Sequence, residues 1–206
     1  VEMFAKQGAL SEDVYLEAIA NTNLLDSMVK DFKLDTSIKY PILYGSQEED
    51  ERKFVERVER MFEEKVSNGT IPPEQVDAFR SAIDEEMDVF HKIGMMGFMG
   101  SMSELICWCK EHNMAIGTAR GSVGGSRVAY VTDIIDLNPE TWHTAFSRFA
   151  NVDRVEIGDI DIDVVKSDRP AIFEYITGRF GTDKTARVAS FGTIKGKGVI
   201  DDVGRH

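Results

Sequence analysis

Between Ser11 and Met28 apolar residues recur at Val14, Ile19, Leu24, Leu25 and Met28, close to the 3.6-residue period of a helix, with Ser11 placed to cap its start. Pro41 and the polar run G-S-Q-E-E-D-E-R (45–52) interrupt the pattern, and Phe54, Val55, Val58 and Met61 resume it as a charged amphipathic helix. That interruption is the candidate domain boundary, and the acids Glu48 to Glu51 suit a solvated first turn facing the helix dipole. Pro72 and Pro73 fit the opening turn of a further helix ending near Gly94. The methionine-rich stretch 95–112 keeps helical spacing, so its methionines and aromatics read as core. From Met114 the pattern changes to short apolar segments, at 114–117, 123–135, 155–165, 169–180 and 186–193. Such alternation predicts an α+β fold, a small mixed sheet with helices packed on it, preceded by a helical segment.

Within 155–165, acid and aliphatic residues alternate strictly in G-D-I-D-I-D-V. As an extended chain this puts Asp159, Asp161 and Asp163 on one face and Ile160, Ile162 and Val164 on the other. Neighbouring acids then lie about 6.6 Å apart, twice the rise of about 3.3 Å per residue. Like charges lined up in this way repel unless a cation neutralises them, and hard oxygen ligands suit magnesium. Two other readings compete: an exposed strand edge whose acids discourage aggregation, and a calcium-binding loop. The calcium loop fails because it needs glycine at its sixth position and glutamate at its twelfth, where Val164 and Pro170 stand.

Upstream, A-R-G-S-V-G-G-S-R (119–127) follows a short strand and precedes the apolar V-A-Y-V, so its glycines are expected at a strand-to-helix turn. Backbone N–H groups of such a turn, with the hydroxyls of Ser122 and Ser126 and the guanidinium of Arg120, suit a triphosphate. The stretch is neither a P-loop nor a dinucleotide fingerprint, and the later G-T-I-K-G-K-G (192–198) lacks the closing Ser/Thr of a P-loop.

Charge first counts against a nucleic-acid partner, since the formal net charge is −12. Its distribution weakens the objection: residues 1–115 carry −11 and residues 116–206 only −1, with the three clustered aspartates included. A bound divalent cation offsets those acids and makes a phosphate ligand tolerable there. Cys107 and Cys109 sit two apart with no second pair to complete a zinc site, so free, at least partly buried thiols are expected. The four histidines stand apart from other metal-ligand types. No apolar run reaches the roughly 18 residues of a membrane span and no secretory signal opens the chain, so a soluble, cytoplasmic protein without a membrane partner is expected.

Six blocks in order, M-G-F, A-R-G-S-V-G-G-S-R-V-A-Y, T-D-I-I-D-L-N-P, F-S-R-F-A-N-V-D-R-V, D-I-D-I-D and S-F-G-T-I-K-G-K-G-V-I-D-D-V-G-R, strongly resemble the alpha subunit of bacterial DNA polymerase III over about residues 85–206. Residues 1–45 resemble the end of that family's PHP domain and the linker after it; the resemblance then assigns 46–190 to the palm and 191–206 to the start of the thumb. It implies a polymerase beta-like nucleotidyltransferase palm and template-directed transfer from dNTP to a primer 3′-hydroxyl. Two Mg²⁺ ions, replaceable by Mn²⁺, would be held by Asp159 and Asp161. It also implies that Gly121 and Ser122 lie beside the triphosphate, that Arg120 and Arg148 bring positive charge to the nucleotide or primer end, and that Lys197 meets DNA phosphate. Asp163 then orients its neighbours. The implied partners are primer-template DNA, dNTP and further replisome subunits.

Gly158, Val164 and Ser147 stand where the family usually has proline, phenylalanine and glutamate, which marks a divergent member. The family's third catalytic aspartate lies beyond the thumb, so the 206 residues by themselves are expected to be inactive. A non-polymerising module that keeps the fold to bind metal, nucleotide or a replisome partner is the alternative. Another nucleotidyltransferase of the polymerase beta class is disfavoured by the V-A-Y, D-L-N-P and F-G-T blocks.

Overall fold

The structure is a computed structural model that describes residues 2–30, 33–35, 40–152, 158–189, 191 and 203–204. The chain divides into two compact units, Val1–Lys39 and Tyr40–His206. The first contains α1 (Glu2–Gln7) and α2 (Glu12–Met28), with Ser11 extended at the N-cap of α2. Val14, Leu24, Leu25 and Met28 of α2 are exposed.

The second unit is built on α3 (Gln47–Ser67), α4 (Val76–Lys92) and α5 (Met96–Glu111). Ser46 caps α3 by accepting from the Glu49 N–H at 3.2 Å, and Glu48, Glu49 and Asp50 occupy its first turn, where the helix dipole favours acids. Asp50, Phe54, Val58, Met61 and Phe62 form the buried stripe of α3. Asp50 is a buried acid with a structural use, since its carboxylate accepts from the N–H groups of Leu43 (2.9 Å) and Tyr44 (2.7 Å) and so ties the segment before α3 onto the helix. A short 3₁₀ turn, Pro73–Gln75, leads into α4, whose buried stripe is Phe79, Ile83, Glu86 and Phe90. Met95, Met96 and Met99 are core residues, Cys109 is buried and Cys107 half-buried, both as free thiols. Each fully buried Phe, Ile or Met contributes about 1.5–3 kcal/mol of apolar burial.

No mixed sheet is present among the described residues, which corrects the α+β expectation: they are mainly helical, and the only strand pairing among them is two isolated antiparallel bridges, Ile116 with Val164 and Arg120 with Asp161. The reason lies in two places. First, the apolar stretch 123–135 adds no strand and is helical, as the strand-to-helix reading of its glycine turn expects. Gly121–Gly125 forms a 3₁₀ turn and Arg127–Val131 forms α6, with Ser126 as its N-cap, accepting from the Ala129 N–H at 3.0 Å. Val128, Ala129, Tyr130 and Val131 are all buried, so the run of apolar residues reflects a short helix surrounded by core. Secondly, between the two bridges one segment advances four residues and the other three. This one-residue mismatch is a bulge, and it prevents a regular ladder.

The extended segment 158–165 nonetheless keeps its two faces. Ile160 and Ile162 pack on the core while Asp159, Asp161 and Asp163 are exposed. Downstream, α7 (Arg169–Phe180) is anchored by Glu104 of α5, which accepts from Arg179 Nε at 2.6 Å and from the Tyr175 hydroxyl at 2.9 Å. Arg179 also donates to the Leu43 carbonyl at 3.2 Å, and Trp108 stacks on Tyr175 with ring centroids 4.2 Å apart. Among the described residues no helix is long and apolar enough to cross a membrane.

Candidate functional site

Three segments converge around the acidic face. The first is 158–164 itself. The second, 116–120, runs antiparallel beside it, with the Gly117 N–H donating to the Asp163 carbonyl (2.9 Å) and the Arg120 N–H to the Asp161 carbonyl (2.8 Å). That pairing brings the Arg120 side chain over the acids. Its Nε donates to Asp163 Oδ2 at 2.6 Å and its Nη2 to Asp163 Oδ1 at 3.1 Å. The bond to Asp163, its charge, and the charge of Asp161 together push the guanidinium pKa further up. Gly121 follows with φ +87°, a conformation that glycine adopts without strain, and turns the chain into Gly121–Gly125.

The third segment is the 3₁₀ turn Phe146–Arg148, and two glycines allow it to approach the other two segments. A Cβ on Gly125 would stand 2.4 Å from the Ala145 carbonyl oxygen, and one on Gly158 would stand 2.5 Å from that of Phe149. Arg148, exposed, is thus one residue from a contact whose other side is one residue from Asp159.

The positions expected from sequence are therefore partly gathered. Asp159, Asp161 and Asp163 share one solvent face, with Arg120, Gly121 and Ser122 alongside and the Arg148 turn packed against both neighbouring segments. Ser126 is placed differently. It is fully buried, and its hydroxyl donates to Glu86 Oε2 at 2.6 Å while capping α6. Lys197 lies outside the described residues.

Among the described residues no group of three His, Cys, Asp or Glu side chains is arranged to hold a metal ion. All three acids are exposed, but Asp163 is paired with Arg120, and Asp159 and Asp161 remain for a cation. A pair of carboxylates completed by water and substrate phosphate is an ordinary donor set for Mg²⁺, so these residues fit that ion.

Sequence reasoning passed over Glu86, which organises the turn from behind. It is 2% exposed, and both carboxylate oxygens are bound by the start of α6: Oε2 by the Ser126 hydroxyl and the Val128 N–H (3.0 Å), Oε1 by the Arg127 N–H (2.8 Å). Burial pushes its pKa up to about 7 against those three bonds and the Arg127 charge. The available signal was a lone acid in the buried stripe Phe79, Ile83, Glu86, Phe90. Because Glu86 and Ser126 already satisfy the first N–H groups of α6, any phosphate must meet the preceding turn. A separate concavity of about 750 Å³, lined by Pro170, Phe173, Ile176, Thr177 and Arg187, lies along α7 and includes none of the candidate residues.

Residues 52–206 match the family model of the bacterial DNA polymerase III alpha NTPase domain, and the chain belongs to that family. It is similar to DNA polymerase III subunit alpha of Treponema pallidum (strain Nichols), 36% identical over 129 residues, which is 63% of this chain and 11% of the relative. The subunit of Neisseria meningitidis serogroup B is 32% identical over 150 residues, covering 73% of this chain and 13% of the relative. That of Escherichia coli O6:H1 is 37% identical over 123 residues, 60% and 11% respectively. The matches thus span about a tenth of these relatives' own length.

Proposed function

We propose that the three converging segments belong to the nucleotidyl-transfer centre of a replicative DNA-directed DNA polymerase, which joins dNTP to a primer 3′-hydroxyl on template DNA. The observation that carries this reading is the pairing of Arg120 with the acid-bearing segment, within the stretch matched by the family model. It sets a guanidinium and a glycine turn beside exposed Asp159 and Asp161.

Asp159 and Asp161 would hold Mg²⁺, two ions in the complete site, with Mn²⁺ as a substitute. Bound there, the metal supplies Lewis acidity, lowering the pKa of the primer hydroxyl and neutralising phosphate charge. The chain's own part is placement. Gly121 and Ser122 border the triphosphate, Arg120 and Arg148 lend it positive charge, and Asp163 holds Arg120 while the nucleotide is absent. Ser126 acts through α6 and does not touch phosphate. Lys197 is assigned to primer or template phosphate, and other replisome subunits are partners of the complete protein.

The test is primer extension by the intact polymerase subunit. Asp159→Asn and Asp161→Asn should each abolish incorporation while primer-template binding persists, and near-normal extension by either variant rejects the reading.

A further inference from the structure

Arg127 is not one of the residues assigned to nucleotide or metal, yet it is largely buried beside this site. Its side chain is 14% exposed and spans two segments. Nη1 donates to the Gly125 carbonyl (2.9 Å) and to the Thr144 carbonyl (3.0 Å), and Nε donates to Glu140 Oε1 at 2.7 Å. Thr144 answers in the other direction, its hydroxyl donating to the Gly124 carbonyl at 2.8 Å. The absent Cβ of Gly125 lets the backbones meet between these bonds. One end of this clamp is the close of the Gly121–Gly125 turn, and the other is the chain entering the Phe146–Arg148 turn.

We infer that the Arg127–Thr144 clamp sets the gap between Gly121/Ser122 and Arg148, making Arg127 and Thr144 positioning residues for the triphosphate of the incoming nucleotide. The inference rests on the function proposed above. Both residues act through others: their polar atoms are spent on main-chain carbonyls and on Glu140, so neither reaches substrate. The planar guanidinium matters because one nitrogen serves two carbonyls while another holds the carboxylate, a fork that a lysine ammonium does not reproduce. A loosened clamp leaves both turns in place but lets their separation vary. The cost therefore falls on nucleotide binding at the triphosphate end more than on the reacting primer hydroxyl.

The experiment is steady-state dNTP incorporation by the intact polymerase subunit carrying Arg127→Lys, Thr144→Val or Thr144→Ser, with primer-template affinity and thermal stability measured on the same samples. Losing one such hydrogen bond is expected to raise the KM for dNTP by about three- to ten-fold while kcat changes far less. Thr144→Ser, which keeps the hydroxyl, should restore the wild-type KM, and primer-template affinity should be unchanged. A fall in melting temperature with KM for dNTP unaltered in both Arg127→Lys and Thr144→Val overturns the inference, as does an equal KM rise in Thr144→Ser and Thr144→Val. Wild-type subunit that extends no primer defeats the underlying function instead, so the two failures are distinguishable. Should Arg127→Lys fail to fold, the two Thr144 variants decide alone.

Discussion

Arg120 and Asp163 face each other across the bulged pairing as a two-pronged ion pair, Nε to Oδ2 at 2.6 Å and Nη2 to Oδ1 at 3.1 Å. Both side chains are largely in solvent, so the pair adds little to stability. Its consequence is electrostatic: one acid of the face is answered by the chain itself, through the cation that the proposed function assigns to the triphosphate.

Two substitutions separate these effects. Arg120→Met removes a positive charge beside Asp161, so Mn²⁺ affinity should rise by about two- to five-fold while dNTP affinity falls. Asp163→Asn releases Arg120, and dNTP affinity should rise. Isothermal titration with each ligand checks both, and parallel changes of metal and nucleotide affinity in Arg120→Met would contradict the assignment.

Glu86 and Glu104 should give opposite pH dependences of stability. Glu86 has a folded pKa of about 7, above its ordinary 4.5, because burial disfavours the carboxylate. The folded state then binds more protons than the unfolded chain between those values. Its contribution is full below pH 4.5 and lost as pH rises to about 7, on the order of 3 kcal/mol. Burial also raises Glu104, but the Arg179 and Tyr175 hydrogen bonds, the Arg179 charge and the Tyr44 bond outweigh it and hold its pKa below the usual value. Its contribution is present above 4.5 and is lost as pH falls through the folded value. Urea unfolding between pH 3.5 and 7.5 should therefore show Glu86→Gln flattening the decline above pH 4.5 and Glu104→Gln flattening the loss on the acid side.

Gly158 stands one residue before Asp159, and its Cβ would fall 2.5 Å from the Phe149 carbonyl oxygen. Gly158→Ala should shift the acidic segment, costing about 1–3 kcal/mol of stability and weakening Mn²⁺ binding without altering a ligand. Gly124→Ala, with open space around its Cβ, is the control and should do neither. Melting curves with and without Mn²⁺ measure both quantities.

Much of this arrangement was readable beforehand, and its failures have physical causes. Of the positions read by period on α3, Phe54, Val58 and Met61 are buried and Val55 is exposed, and the acid-aliphatic alternation separated the aspartates from Ile160 and Ile162, which pack on the core. Alternation says which side chains share a face, however, and says nothing of whether a partner strand exists. The helix start after the glycine turn was legible, but its anchoring through Ser126 on buried Glu86 was not, because that bond joins residues forty positions apart in sequence. The Arg127 clamp left no periodic trace, because its bonds end on main-chain carbonyls of two turns.

Asp159 and Asp161 are the proposed divalent-metal site. Mn²⁺ titration, followed by electron paramagnetic resonance, of wild-type protein, Asp161→Asn and Asp168→Asn tests it most directly, since Asp168 lies just beyond the extended segment and before α7. The expected result is a loss of affinity of more than about ten-fold in Asp161→Asn with Asp168→Asn close to wild type. Equal affinities in the two variants would contradict it.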